Sequence, residues 1–199
     1  YGILAYETLF NVRDKCPSII IVPNPCPNPI PSEFNNLFLG ILANGGSMPS
    51  QTASVVNSKF NNNYGGMYFQ NLNLAQVVNN DIFVGIDIST SLLAFGLYLS
   101  NSDKYKVEDN RLSTAVGYYG AYINHSGTGA NEIYRNSFEN FVVATQAASI
   151  NGDGSSAGNG LQFKCNKYTS TADYDILISS GLIKAFHGKC GTIQNPTDP

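Results

Sequence analysis

Cleaving a glycosidic bond calls for two carboxyl groups facing one another roughly 5–10 Å apart, and the chain has 14 acidic residues to draw on. A unit that recurs along the sequence, described below, aligns them into outward columns. One column reads Ser54, Gln76, Lys106, Glu132, Gln162; the other reads Val56, Val78, Glu108, Tyr134, Lys164. Lys106 falls beside Glu132, and Lys106 and Glu108 share one strand face, so each carboxylate has a cation for a neighbour. This is a ladder of mixed charge, and no catalytic residue is assigned. Asp87 and Asp175 project from strands without a carboxylate partner, and Asp81 and Asp109 lie at turns, where Asp is common.

Other reactive types are sparse. His125 and His187 have no His, Cys or Glu at ligand spacing, which argues against zinc. Asn151, Asp153 and Ser155 resemble the start of a calcium loop, but its twelfth position is Gln162 instead of a bidentate Glu. Nucleophile elbows, phosphate loops and dinucleotide fingerprints are missing, so neither metal nor cofactor is expected. The tyrosines are more informative. Tyr118, Tyr119 and Tyr122 crowd into Gly117–Tyr122, and Tyr134 follows one unit later. Aromatic rings on a polar surface stack on sugars or anchor protein contacts, and these four are the candidate binding residues.

The elements that hold them repeat. An apolar residue, two variable ones, Asn or Ser, one variable one and a large apolar residue recur as Val55–Ser58–Phe60, Val77–Asn80–Ile82, Val107–Asn110–Leu112, Ile133–Asn136–Phe138 and Phe163–Asn166–Tyr168. The polar positions are 22, 30, 26 and 30 residues apart, a period that signals a solenoid. Two apolar columns flanking the column Ser58, Asn80, Asn110, Asn136 and Asn166 imply strand, turn, strand. Asn tolerates the left-handed conformation at that turn, and its amide reaches the Asn of the next coil. Six residues after the last apolar position a short strand opens, as in Gly40–Ala43, Gly66–Phe69 and Ala144–Ala147; Gly96–Leu99 comes after a longer insertion. The fold class is all-β: a right-handed parallel β-helix with coils of roughly 22–30 residues and irregular loop excursions.

Residues 1–31 read as an irregular first coil, with a short strand at Ser18–Val22 and a loop in which alternate prolines from Pro23 to Pro31 forbid a central strand. Residues 32–199 read as coils of one continuous domain. Tyr1–Ala5 echoes Leu39–Ala43, which suggests a chain that starts inside a repeat and is cut from a longer protein. Asn44–Ser47, Asn61–Asn63, His125–Gly129 and Asn151–Ser156 read as turns.

Composition bounds the partners. Only 13% of the chain is charged while 43% is hydrophobic, and two dozen Asn and 19 Gly supply the uncharged polar surface. A net charge of −3 without basic clusters argues against nucleic acid. No run approaches 18 apolar residues, so no membrane-spanning helix is expected. Four cysteines fall into two pairs, Cys16 with Cys26 and Cys165 with Cys190, the latter about one coil apart. Adjacent strands about 4.8 Å apart suit a disulfide. Two bridges would fit an oxidising compartment; four unpaired thiols are the alternative.

At Asn131–Phe138, followed by Gly160–Asn166, then by Tyr174–Ile176 and the segment from Gly191 to Pro199, the chain resembles β-helix segments of very large secreted or surface proteins of Bacteroidetes, flavobacteria above all. The resemblance covers residues 32–199. It implies export by the type IX secretion system, contact with that outer-membrane machinery, and a place outside the cell or on its surface; it carries over no catalytic residues. The expected function is a non-catalytic structural or adhesive segment that binds polysaccharide or another surface component. The alternative is a polysaccharide lyase or glycoside hydrolase with part of its active site outside this chain, and a trimeric tail-spike module is a third reading.

Overall fold

A computed structural model describes residues 1–16, 28–47, 51–85, 94–115, 117–153 and 159–184. Nineteen strands run through these residues. They are β1 (Ile3–Tyr6), β2 (Phe10–Val12), β3 (Ser32–Asn35), β4 (Leu39–Asn44), β5 (Ala53–Val56), β6 (Ser58–Asn63), β7 (Gly65–Gln70), β8 (Gln76–Val78), β9 (Asp81–Val84) and β10 (Phe95–Ser100). The rest are β11 (Lys106–Glu108), β12 (Arg111–Thr114), β13 (Tyr119–Asn124), β14 (Ala130–Tyr134), β15 (Ser137–Glu139), β16 (Val143–Ala148), β17 (Gly160–Lys164), β18 (Lys167–Thr169) and β19 (Tyr174–Ile178).

Every third strand joins the same sheet. Sheet one is seven-stranded, in the order β1-β4-β7-β10-β13-β16-β19; sheets two and three are six-stranded, β2 to β17 and β3 to β18. All these pairs are parallel, so strands n and n+3 stack in register and the chain is a parallel β-helix. The echo between the two opening segments is real pairing: Ile3, Leu4 and Ala5 lie opposite Ile41, Leu42 and Ala43. Strand pairing therefore begins at Ile3, within the stretch that reads from sequence as irregular. Ser18–Val22 lies outside the described residues, as does most of the Pro-rich loop.

Alternation decides what the coil encloses. Along sheet two, Val55, Val77, Val107 and Ile133 are at most 1% exposed, and along sheet three so are Phe60, Ile82, Leu112 and Phe138. Their columns pack against Ile41, Met67, Leu97, Ala121 and Ile123 from sheet one in one core. Fully burying a side chain of this size is worth about 1.5–3 kcal/mol, and each one also stacks on its equivalents above and below, as in the 4.7 Å stack of Phe34 on Phe60.

The corner between sheets two and three is held by polar groups. Ser58 N–H donates to Asn80 Oδ1, Asn80 N–H to Asn110 Oδ1, Asn110 N–H to Asn136 Oδ1 and Asn136 N–H to Asn166 Oδ1, each at 2.9 Å. In return each Asn Nδ2 donates to a strand carbonyl of the previous coil: Asn80 to Val55, Asn110 to Val77, Asn136 to Val107 and Asn166 to Ile133, at 2.8–2.9 Å. Asn80, Asn110 and Asn136 are 1–2% exposed. The sequence expectation of a left-handed Asn needs correcting by one residue. Positive φ falls on the preceding positions, Asn57, Asn79, Asp109, Arg135 and Cys165, at 52–56°. That residue makes the bend and leaves the Asn side chain free to turn inward. Asn61–Asn63 also differs from expectation: it ends strand β6, and a register shift with Asn62 at φ 57° takes up the extra residue.

Burial of phenols gives the fold an alkaline limit. Tyr168 is pushed up to about 12 by desolvation, and Tyr105, fully buried with its hydroxyl 3.1 Å from Ser126 Oγ, is raised further. A raised phenol favours the neutral form in the fold. Its contribution is therefore complete below pH 10, the ordinary phenol value, and lost as pH climbs through about 12. Chemical denaturation at stepped pH is expected to show a flat stability from pH 7 to near 10 and a decline above it, which Tyr105→Phe would shallow. A decline that begins well below pH 9 would contradict this account.

Candidate functional site

Charge is segregated among the three sheets. Strands β1, β4, β7, β10, β13 and β16 contain no Asp, Glu, Lys or Arg, and β19 adds only Asp175. Sheets two and three carry the ionic groups. Arg135 Nη2 lies 2.7 Å from Asp109 Oδ2, Lys164 Nζ 3.2 Å from Glu132 Oε1, and Arg111 Nη2 3.6 Å from Glu139 Oε2. Lys106 does face Glu132 across the strands, but the ion pair of Glu132 is with Lys164, one coil on. Exposed pairs of this kind contribute about 0–1 kcal/mol. Their effect on chemistry is larger: a carboxylate held by a cation is a poor general acid.

The uncharged face carries the aromatics. Tyr68 on β7, Tyr98 on β10 and Tyr122 on β13 are register partners. Their rings stack with centroids 4.8 and 4.7 Å apart and planes within 24°. Alternation points all three outward while Met67, Phe69, Leu97, Leu99, Ala121 and Ile123 point in. Beside them Phe95 meets Tyr98 edge-on at 5.6 Å, Tyr119 meets Tyr122 at 5.0 Å, and Tyr118 meets Tyr119 at 4.6 Å. Burial in this cluster, then the neighbouring phenols Tyr122 and Tyr68, push the Tyr98 hydroxyl up to about 12, against a hydrogen bond with Asn124. The Tyr98 phenol thus stays neutral at every physiological pH. Leu42 precedes the column and Gln146 follows it.

The structure thus brings together Tyr118, Tyr119 and Tyr122 and adds Tyr68, Phe95 and Tyr98, which sequence reasoning missed. Tyr134 stands apart. It lies on β14 in sheet two, with the Arg135 guanidinium 4.8 Å from its ring centroid. Tyr98, at the centre of the column, has a ring on each side and so offers its edge and hydroxyl.

Remaining candidates resolve into structural roles. Asn151, read as the start of a possible calcium loop, is buried; its Oδ1 accepts from Ser126 N–H at 2.9 Å and its Nδ2 donates to Ala148 O. His125 is an exposed corner residue with φ 57°. Asp87, Ser155 and His187 lie outside the described residues. So do Cys26 and Cys190, the expected partners of Cys16 and Cys165; among the described residues no cysteine is a free thiol.

A family model described as "Periplasmic copper-binding protein (NosD)" matches residues 34–170, which is most of the chain. The chain belongs to the NosD family. No curated protein and no solved structure matches it. The family description names copper, whose protein ligands are imidazole, thiolate or thioether. Among the described residues no three His, Cys, Asp or Glu come together. Met67 is buried in the core, and His125 has no such companion. These residues do not fit a copper centre. Titration of the purified chain with Cu(I) and Cu(II) against a competing chelator is expected to leave all metal on the chelator. A stoichiometric complex that survives it would locate donors outside the described residues.

Proposed function

We propose that this NosD-family chain is a non-catalytic β-helix segment of an exported protein, and that its uncharged aromatic face binds carbohydrate. The observation that carries the reading is the sorting of side chains: ionic groups pair on two sheets, while the third holds neutral rings, amides and hydroxyls. Phenols and amides match sugar hydroxyls in donor and acceptor capacity without a charge to desolvate. Asp109, Glu132 and Glu139 each face a cation, which makes them poor partners for a hydrolytic pair. Export is supported by the periplasmic description of the family. Placement at the cell surface by type IX secretion is supported by the resemblance to flavobacterial surface proteins.

The test pairs a pull-down on insoluble polysaccharides with a turnover assay on the same panel, read by reducing ends and by ultraviolet absorbance of unsaturated products. Retention without turnover is the expected result. Turnover that disappears on changing one carboxylate would replace this reading with a lyase or hydrolase.

A further inference from the structure

The stacking of the rings restricts what can lie on the face. Tyr98 has a ring less than 5 Å away on each side, so a sugar cannot lie flat on it as it would on an isolated tyrosine. What remains is a row of ring edges and hydroxyls, one per coil, running along the solenoid axis. Amide groups flank it: Asn44, Gln70 and Asn124 end the strands of the same sheet, and Asn44 Nδ2 reaches Gln70 Oε1 at 3.4 Å. A compact ligand meets one or two members of such a row. Only an elongated one, aligned with the axis, meets them all. Charge narrows the class further, because an acidic chain on this face would lose hydration without finding a single cation on β4, β7, β10 or β13.

We propose that the sheet-one face takes an uncharged polysaccharide that lies along the solenoid axis, with successive sugar hydroxyls meeting the hydroxyls of Tyr68, Tyr98 and Tyr122. This rests on the carbohydrate reading above and adds the class and direction of the ligand. The phenols both donate and accept, so one row serves either sense of sugar hydroxyl. The edge-on neighbours Phe95 and Tyr119 brace the rings, and Tyr119, half-buried, supplies apolar contact for the sugar C–H faces.

The experiment is calorimetric titration of the whole chain with neutral β-linked gluco-oligosaccharides of increasing length and, separately, with polygalacturonate, each at low and high salt. Affinity should climb with oligomer length until the ligand spans the three tyrosines, stay unchanged by salt, and fall several-fold in Tyr98→Phe, which keeps the stack and removes one hydroxyl. Tyr98→Ala should lose tenfold or more. Equal affinity for a monosaccharide, or a salt-sensitive preference for polygalacturonate, would overturn the axial neutral ligand and leave carbohydrate binding standing. Silence toward every sugar would overturn both; if the chain also sediments as a dimer that Tyr98→Ala breaks, the face belongs to a second copy.

Discussion

Asn110→Ala should lower stability by about 3–5 kcal/mol, because a single truncation strands several buried groups at about 1–3 kcal/mol each. Asn110 Oδ1 receives both the backbone N–H and the Nδ2 of Asn80, and its own Nδ2 serves the Val77 carbonyl and Asn136 Oδ1. Alanine removes the acceptor for one coil and the donor for another. Asn110→Asp separates the two arms. The carboxylate still accepts from Asn80 but cannot donate to Val77, and burial raises its pKa. Its stability should therefore recover as pH falls and the acid regains a proton to donate, opposite to the trend of an ion-paired carboxylate. Urea denaturation of both variants between pH 4 and 8 checks this. A loss under about 1 kcal/mol for Asn110→Ala, or a pH-independent Asn110→Asp, would mean that water replaces the amide and that the ladder is dispensable.

Gly120→Ala is the second large effect. A Cβ built at Gly120 sits 2.4 Å from the carbonyl oxygen of Ala144 and 2.6 Å from Phe138 Cδ1. The oxygen belongs to the next strand of sheet one, so the methyl cannot be accommodated by a side-chain rotation. It must push two coils apart. Overpacking of this kind costs about 1–3 kcal/mol when neighbours can move and more when they are backbone; we expect the upper part of that range, with Gly120→Val leaving little folded protein. The same column holds glycine at Gly40, Gly66 and Gly96, each with a carbonyl of the following strand 2.3–2.7 Å from the added carbon. Thermal melting of Gly120→Ala measures the cost. A melting curve matching the parent's would show that the coil spacing is softer than the packing implies.

In-register stacking is what makes such a fold legible from residue types. When equivalent positions lie directly over one another, the requirement to be apolar at Val77 is the same at Val107 and Ile133, and a column emerges from the sequence. The Asn column emerges for the same reason. Less legible was the residue that bends the chain, since Asn, Asp, Arg and Cys all take the left-handed conformation at 57, 79, 109, 135 and 165; the buried Asn beside it fixes that corner whatever residue makes the bend. The tyrosine column was hidden by unequal loop lengths, which shift sheet one relative to the Asn unit from coil to coil. A signal was present nonetheless: Gly66, Gly96 and Gly120 each precede Tyr68, Tyr98 and Tyr122 by two. Aligning on those glycines instead of on Asn would have separated these rings from Tyr134. That Tyr134 stands on another sheet follows from its place two residues before Asn136, on the strand that leads into the corner.

The Asn ladder also has a direction. Every backbone N–H in it points its proton toward the coil that follows, while the amide nitrogens of Asn80, Asn110 and Asn136 donate both back to a carbonyl of the coil before and forward to the next Asn Oδ1. The backbone N–H donors of the ladder therefore all point one way along the axis, and its two ends differ in what they offer a neighbour. At the Asn166 end an abutting element would supply an oxygen in the role that Asn166 plays for Asn136, whereas at the other end the first coil already lies against Ser58, with Ser32 opposite it across the strands.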